Sequence, residues 1–373
     1  MKLCVFANDS LLSYYEKGEI KEGYFNPYNF FNEIHVLSLF DKEIEPEKVK
    51  SLAGNAKLKI HTLGKANLSN FRKFETKVNT LVEEINPDLI RSFNPLVQGW
   101  LAVKASKKFK IPLVVSLHTN YEEKRDLLKK RNFFGYLKSK YASKKLESFV
   151  MKNADAIICV YEFIIPYAKK MGAKNIHIIY NKINLKIFTE ITNKKFESKR
   201  PTIISVGRLI EQKNHHYLIK SIKDLDANLL IIGDGPNFNS LNQMIDALKV
   251  SDKVKIIKRV SNDELSQYYV SCDIYAQVME NLGGIPMPVL EAMACGLPVV
   301  MSRHSKNYSE IIDDAVYFVD NNPSSFRMAF NRILTDSEYK KKLKEKSLLT
   351  IKKISGDKME EKELELYKKL IGS

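Results

Sequence analysis

Cysteine is scarce in this chain, with four in 373 residues, and Cys4, Cys159, Cys272 and Cys295 stand far apart without a CxxC pair. That excludes a disulfide scaffold and gives no zinc or dithiol motif, so a reducing cytoplasm is the expected setting. No apolar run reaches membrane length: the longest, 278–301, is interrupted by Glu280, Glu291 and several Gly and Pro residues. The opening MKLCVFANDS turns polar where a signal peptide needs its apolar core, so export is not expected. Internal repeats, low-complexity tracts and RNP-type nucleic-acid signatures are also lacking. What remains is an ordinary globular balance, 44% hydrophobic and 28% charged, long enough for two or three domains.

Acidic residues are in deficit, 44 against 60 Lys and Arg, which gives a net charge of +16 and predicts an anionic partner. The excess is uneven. Residues 1–190 carry 32 basic and 20 acidic side chains, and within them Lys104 to Lys152 carries 14 basic residues against Glu122, Glu123, Asp126 and Glu147.

Short apolar runs alternate with helical patterns through the first half: KLCVFA (2–7), EIHVLSLF (33–40), KLKIHTL (57–63), DLIRSF (88–93), PLVVSL (112–117), DAIICV (155–160) and NIHIIY (175–180). The period is lost over FTEITNKKFESKR (188–200), which reads as a linker. A second series follows: PTIISVG (201–207), ANLLIIG (227–233), KVKIIK (253–258), DIYAQV (273–278) and LPVVM (297–301). The pattern predicts an α/β protein with two Rossmann-like, doubly wound parallel-sheet domains, 1–190 and 201–356, facing a central cleft. Ser261 to Glu264 fits a capping box. A closing helix at about 357–373 can cap either domain, packing back on the first being one of the two arrangements.

Three glycine-bearing turns follow strands of the second series. In the first, Gly207 brings backbone amides close, and Arg208 and Lys213 on the same loop can hold a diphosphate; a solvated basic loop is the alternative. In the second, Gly233-Asp234-Gly235-Pro236 matches only the start of a dinucleotide fingerprint, because Phe238 stands where the third glycine belongs. A tight turn with Pro236 at the first helical position is the other reading. In the third, Gly283 and Gly284 precede a helix on which Glu291 falls beside Met287, Leu290 and Ala294. A carboxylate among apolar neighbours needs a partner, either a ribose diol or a structural cation.

Taken in order, Gly207-Arg208-x4-Lys213, Gly233-x-Gly235-Pro236 and Glu291-Ala-Met-Ala-x-Gly296-x-Pro298-Val299-Val300 resemble the retaining family 4 glycosyltransferases of GT-B fold, glycosyl transferases group 1. His118 after PLVVSL, ADAIICVYEFI (154–164) and IHIIYNKINLKIF (176–188) resemble the same family's N-terminal domain. The resemblance implies a nucleotide-sugar donor, UDP-linked, and an acceptor hydroxyl on a glycan or a lipid-linked glycan. It implies that Arg208 and Lys213 clamp the donor diphosphate and that His118 meets the transferred sugar. It likewise implies that Glu291 binds the ribose, that Gly283 and Gly284 present amides with Ile285 and Leu290 beside them, that the Lys258-Arg259-Val260 turn edges the base, and that Gly233 and Gly235 belong to the donor site. The family's second glutamate, eight residues before the ribose-binding one, is here Gly283, so either Glu280 fills that role or the sugar is read differently. The loop after the first strand, Asn8 to Tyr24, lacks the family's usual glycine pair, so acceptor contacts do not carry over.

No cofactor is implied, and no metal. Asp224-Leu225-Asp226 reads as a surface turn, and the adjacent His215 and His216 cannot both aim at one ion. No carboxylate pair of the double-displacement kind stands out. Leu127 to Lys152 mixes lysines with Phe133, Phe134, Leu137, Tyr141 and Phe149, which suits either an anionic membrane surface or burial of the aromatic side in its own domain. A cytoplasmic enzyme, peripheral on the inner face of the membrane, fits the first. Other GT-B activities, an epimerase or a phosphorylase, and a basic polyanion-binding protein are the competing functions; a nucleic-acid partner is not expected.

Overall fold

The structure, a computed structural model, describes the chain except residues 124, 126–128, 130–131, 190, 192, 280–283, 304–309 and 373. It divides into two units, Met1–Tyr180 with Lys358–Ser373, and Asn181–Asp357.

In the first unit seven strands form one parallel sheet: β1 (Lys2–Phe6), β2 (Glu33–Ser38), β3 (Lys57–Thr62), β4 (Leu89–Ser92), β5 (Leu113–Leu117), β6 (Ala156–Cys159) and β7 (Ile176–Ile178). Their order is β3-β2-β1-β4-β5-β6-β7, so the chain winds outward in both directions from β1 and β4. Every strand falls inside one of the apolar runs, as expected for parallel strands covered on both faces. The last helix, Gly356–Ile371, packs on this unit through Met359, Glu363, Leu366 and Tyr367. Its anchor is polar: buried Arg91 on β4 pairs with Glu363 and the Tyr367 hydroxyl, and donates to Ser116 Oγ at 3.1 Å. Removing one member of such a buried pair costs about 3–5 kcal/mol, because the other charge is left uncompensated.

In the second unit six parallel strands, β8 (Thr202–Val206), β9 (Asn228–Ile232), β10 (Val254–Ile257), β11 (Ile274–Gln277), β12 (Val299–Ser302) and β13 (Val316–Val319), run in the order β10-β9-β8-β11-β12-β13. β13 was not among the expected strands. It is a four-residue edge strand bounded by Asp313, Asp314 and Asp320, and it pairs only with β12. The core joins Leu218, Ile219 and Ile222 of helix His215–Ile222 to Phe326, Ala329 and Phe330 of helix Pro323–Thr335 and to the strands beneath them. Ser261 caps helix Asn262–Val270 by accepting the Glu264 N–H. The Glu264 carboxylate takes the Ser261 hydroxyl at 3.1 Å and Lys195 at 2.7 Å. The polar stretch before β8 thus lies along this unit, with Arg200 also paired to Asp226 and Asp252. Among the described residues no helix is long and apolar enough to cross a membrane.

Candidate active site

The described candidate residues of the second unit sit at or beyond the carboxyl ends of β8, β9, β10 and β11, and the strand order turns between β8 and β11. Crevices at such points are where open parallel sheets bind ligands.

The loops after β8 and β9 are stitched together backbone to backbone. Gly207 N–H donates to Ile232 O at 3.0 Å, Leu209 N–H to Asp234 O at 2.9 Å, and Asn237 N–H to Leu209 O at 3.0 Å. The approach is so close that a Cβ on Gly233 would lie 1.9 Å from Gly207 O, and one on Gly235 would lie 2.5 Å from Leu209 O. These two glycines therefore hold the loop that carries Arg208. Helix Phe238–Ala247 starts after Pro236, with Asn237 as its N-cap, so the proline precedes the helix and does not occupy its first position.

Arg208 is exposed, while Lys213, which ends the short turn Glu211–Lys213, is half-buried. Burial lowers the pKa of Lys213, and the neighbouring Arg208 guanidinium lowers it further. No carboxylate of the described residues is among those causes. Two cations held together, one of them disfavoured by burial, are the arrangement that an anionic group stabilises. His215 follows; it is 2% exposed, and neither ring nitrogen has a hydrogen-bond partner among the described residues. Burial, then Lys213, then His216 push its pKa down to about 4, so the ring is neutral.

Beyond β10, Lys258 places its ammonium 4.3 Å from the Phe238 ring centroid, and exposed Arg259 and half-buried Val260 complete that turn. After β11, Gly284 has φ 110°, Ile285 is buried, and Pro286 caps helix Met287–Ala294, whose Leu290 is buried and whose Glu291 is half-buried. Glu280 and Gly283 lie outside the described residues. Glu291 Oε2 accepts a hydrogen bond of 3.0 Å from the hydroxyl of Tyr269 on helix Asn262–Val270. Nothing in the sequence marked Tyr269, since a separation of 22 residues across a strand carries no pattern of its own.

His118 belongs to the first unit, just beyond β5. Its ring stacks on Phe93, centroids 5.9 Å apart and planes at 21°, and Phe93 stacks in turn on Tyr24 at 5.6 Å. Arg91 lies 4.5 Å from the Phe93 centroid. The structure thus gathers Arg208, Lys213, Gly233, Gly235, Arg259, Gly284 and Glu291 on the strand ends of one sheet, and His118 on those of the other.

Of the remaining acidic and histidine candidates, Asp224 pairs with Arg327 and Asp226 with Arg200, both in an exposed turn. Among the described residues no group of three His, Cys, Asp or Glu side chains is placed to hold a metal ion. In the basic segment, whose Leu127 is outside the described residues, helix Phe133–Ala142 leaves its apolar side chains open: Phe133 is 56% exposed, Phe134 84%, Leu137 46% and Tyr141 63%. The expected alternative, burial of that side, does not hold for these four. Lys140 and Lys145 lie 5.7 and 4.9 Å from the Tyr136 and Tyr141 rings.

Residues 187–348 match the family model of glycosyl transferases group 1, and residues 32–187 that of glycosyltransferase family 4. An uncharacterized glycosyltransferase of Methanocaldococcus jannaschii is 26% identical over 300 residues, 78% of this chain and 80% of that one. The alpha-monoglucosyldiacylglycerol synthase of Acholeplasma laidlawii is 25% identical over 255 residues, 62% of this chain and 63% of the synthase. The HepE protein of Anabaena, solved in complex with UDP, superimposes with a TM-score of 0.74 at 14% identity, over 98% of this chain and 99% of that one. With its two Rossmann-like parallel sheets and both halves matched, the chain belongs to the GT-B glycosyltransferases of group 1, family 4, and is a glycosyltransferase.

Proposed function

We propose that this enzyme transfers a sugar, with retention at the anomeric carbon and without a metal ion, from a UDP-linked donor to an acceptor hydroxyl in glycan, glycolipid or cell-surface polysaccharide synthesis. The observation that carries the reading is the pair Arg208 and Lys213 on a loop locked at a strand end, one cation half-buried and no carboxylate among the causes of its lowered pKa. UDP as the nucleotide is supported by the complex of the structural neighbour, and a lipid-linked acceptor by the activity named for the Acholeplasma relative.

In this reading the diphosphate lies against Arg208 and Lys213, and Glu291 takes the ribose hydroxyls. Gly284, with Gly283, offers amides to the phosphate or sugar beside Ile285 and Leu290. Arg259 and Val260 edge the base, and Gly207, Gly233 and Gly235 set the loop. Glu280 takes the sugar hydroxyls in place of the glutamate missing at Gly283, and His118 acts at the transferred sugar. The bond from the anomeric carbon to the phosphate oxygen breaks with its electron pair leaving on the diphosphate, where the two cations stabilise it. The acceptor oxygen bonds to the same face of that carbon, and its proton passes to the departing phosphate oxygen.

The open aromatic side of helix Phe133–Ala142, ringed by lysines, suits an anionic membrane surface on the cytoplasmic face. It would bring a lipid-linked acceptor within reach.

Arg208→Ala and Lys213→Ala test the assignment. Each is expected to lower kcat by about 10²- to 10³-fold, the usual effect of removing one transition-state stabiliser, with the melting temperature unchanged. Unchanged turnover in both variants overturns it.

A further inference from the structure

Glu291 does not stand alone. Tyr269 is fully buried on helix Asn262–Val270, its ring 6.0 Å from that of Tyr275 at 63° and 6.4 Å from that of Phe188. Its hydroxyl donates to Glu291 Oε2 at 3.0 Å. Burial and the Glu291 carboxylate raise the phenol's pKa well above its ordinary value, so the group stays protonated and can only donate to that oxygen. Its packing fixes the ring, and two helices, Asn262–Val270 and Met287–Ala294, are thereby tied at one carboxylate. A carboxylate has about four lone-pair sites, and the phenol occupies one of them at Oε2.

We infer that Tyr269 is a positioning residue for nucleotide recognition: it fixes the Glu291 carboxylate so that both ribose hydroxyls of a nucleoside diphosphate reach it. The inference rests on the ribose role proposed for Glu291. A freely rotating carboxylate would lose rotamer freedom on binding, and the buried phenol removes that cost beforehand. The hydroxyl is neither exposed nor catalytic; it touches no reacting atom.

The test uses the full chain as wild type, Tyr269→Phe and Glu291→Gln, titrated with UDP, GDP and ADP and with the 2′-deoxy form of each. Tyr269→Phe keeps the ring and its packing, and a melting curve recorded alongside is expected to stay within a few degrees of wild type. For the nucleotide that wild type binds, Tyr269→Phe is expected to weaken the ribose form about tenfold and the 2′-deoxy form less than twofold, and to raise the donor KM by a larger factor than it lowers kcat. A purely structural tyrosine would weaken both forms alike, and that result overturns the inference. So does a wild-type affinity in Tyr269→Phe while Glu291→Gln is weakened, which leaves the ribose role of Glu291 standing. Unaltered binding in Glu291→Gln, or no nucleotide bound by wild type, removes the ribose role and the inference with it.

Discussion

Gly233→Ala puts a single methyl group where the loops after β8 and β9 cross. The new Cβ would lie 1.9 Å from Gly207 O and 2.9 Å from Gly207 C, both backbone atoms that no rotamer change can move aside. An ordinary carbon-to-oxygen contact is roughly 3.3 Å or more, so the loops must part by more than an ångström. The bonds from Gly207 N–H to Ile232 O and from Leu209 N–H to Asp234 O, 3.0 and 2.9 Å, are the first to stretch. Overpacking of this kind costs about 1–3 kcal/mol and loss of one of the two hydrogen bonds about 1 kcal/mol, which together give about 3 kcal/mol at mid-range. For a unit of this size, Asn181–Asp357, that is a fall of roughly 6–12 °C in its melting transition. Differential scanning calorimetry reads it directly, and activity assayed below the transition should still fall, because Arg208 rides on the displaced loop. A variant that melts within about 2 °C of wild type and transfers sugar at the wild-type rate would refute the interlock as the reason for glycine here.

Acid should destabilise the second unit through His215. Its folded pKa of about 4 lies below the ordinary histidine value near 6.5, so the unfolded chain takes up the proton first, and stability is lost as pH falls between those values. The full effect is about 3 kcal/mol, and His215→Leu should remove most of it from the difference between urea midpoints at pH 7 and pH 4.5; an unaltered difference counts against a buried neutral ring. For the membrane face, flotation with vesicles containing anionic lipid should recover the wild-type protein, with recovery lost for Phe134→Ser/Tyr141→Ser and at high salt. Equal recovery on zwitterionic vesicles would remove that surface from the account.

The strands were legible because parallel sheets covered on both faces leave continuous apolar runs, and Leu229 to Ile232 or Val114 to Leu117 can be little else. Val316–Val319 escaped because an edge strand of four residues between aspartates carries no loop motif after it. Gly207, Arg208 and Lys213 were legible as one loop motif, since they are close in sequence. The reason for Gly233 and Gly235 was not, because it lies in a loop some 25 residues away in the chain, whose carbonyls they approach. Tyr269 was hidden for the same reason. Periodicity showed that Phe133, Phe134, Leu137 and Tyr141 share a helix, but only the structure shows that all four are exposed.

The proposed function requires that the second unit bind a nucleoside diphosphate sugar through Arg208, Lys213 and Glu291 with no metal ion. Thermal stabilisation of the purified chain by UDP, GDP, ADP and their common sugar conjugates, with and without EDTA, tests it most directly. The uridine series is expected to raise the melting transition, by the equivalent of about 2.7 kcal/mol at a hundredfold excess over Kd, and EDTA to leave the shift intact. No shift from any nucleotide, or one that EDTA abolishes, would contradict it.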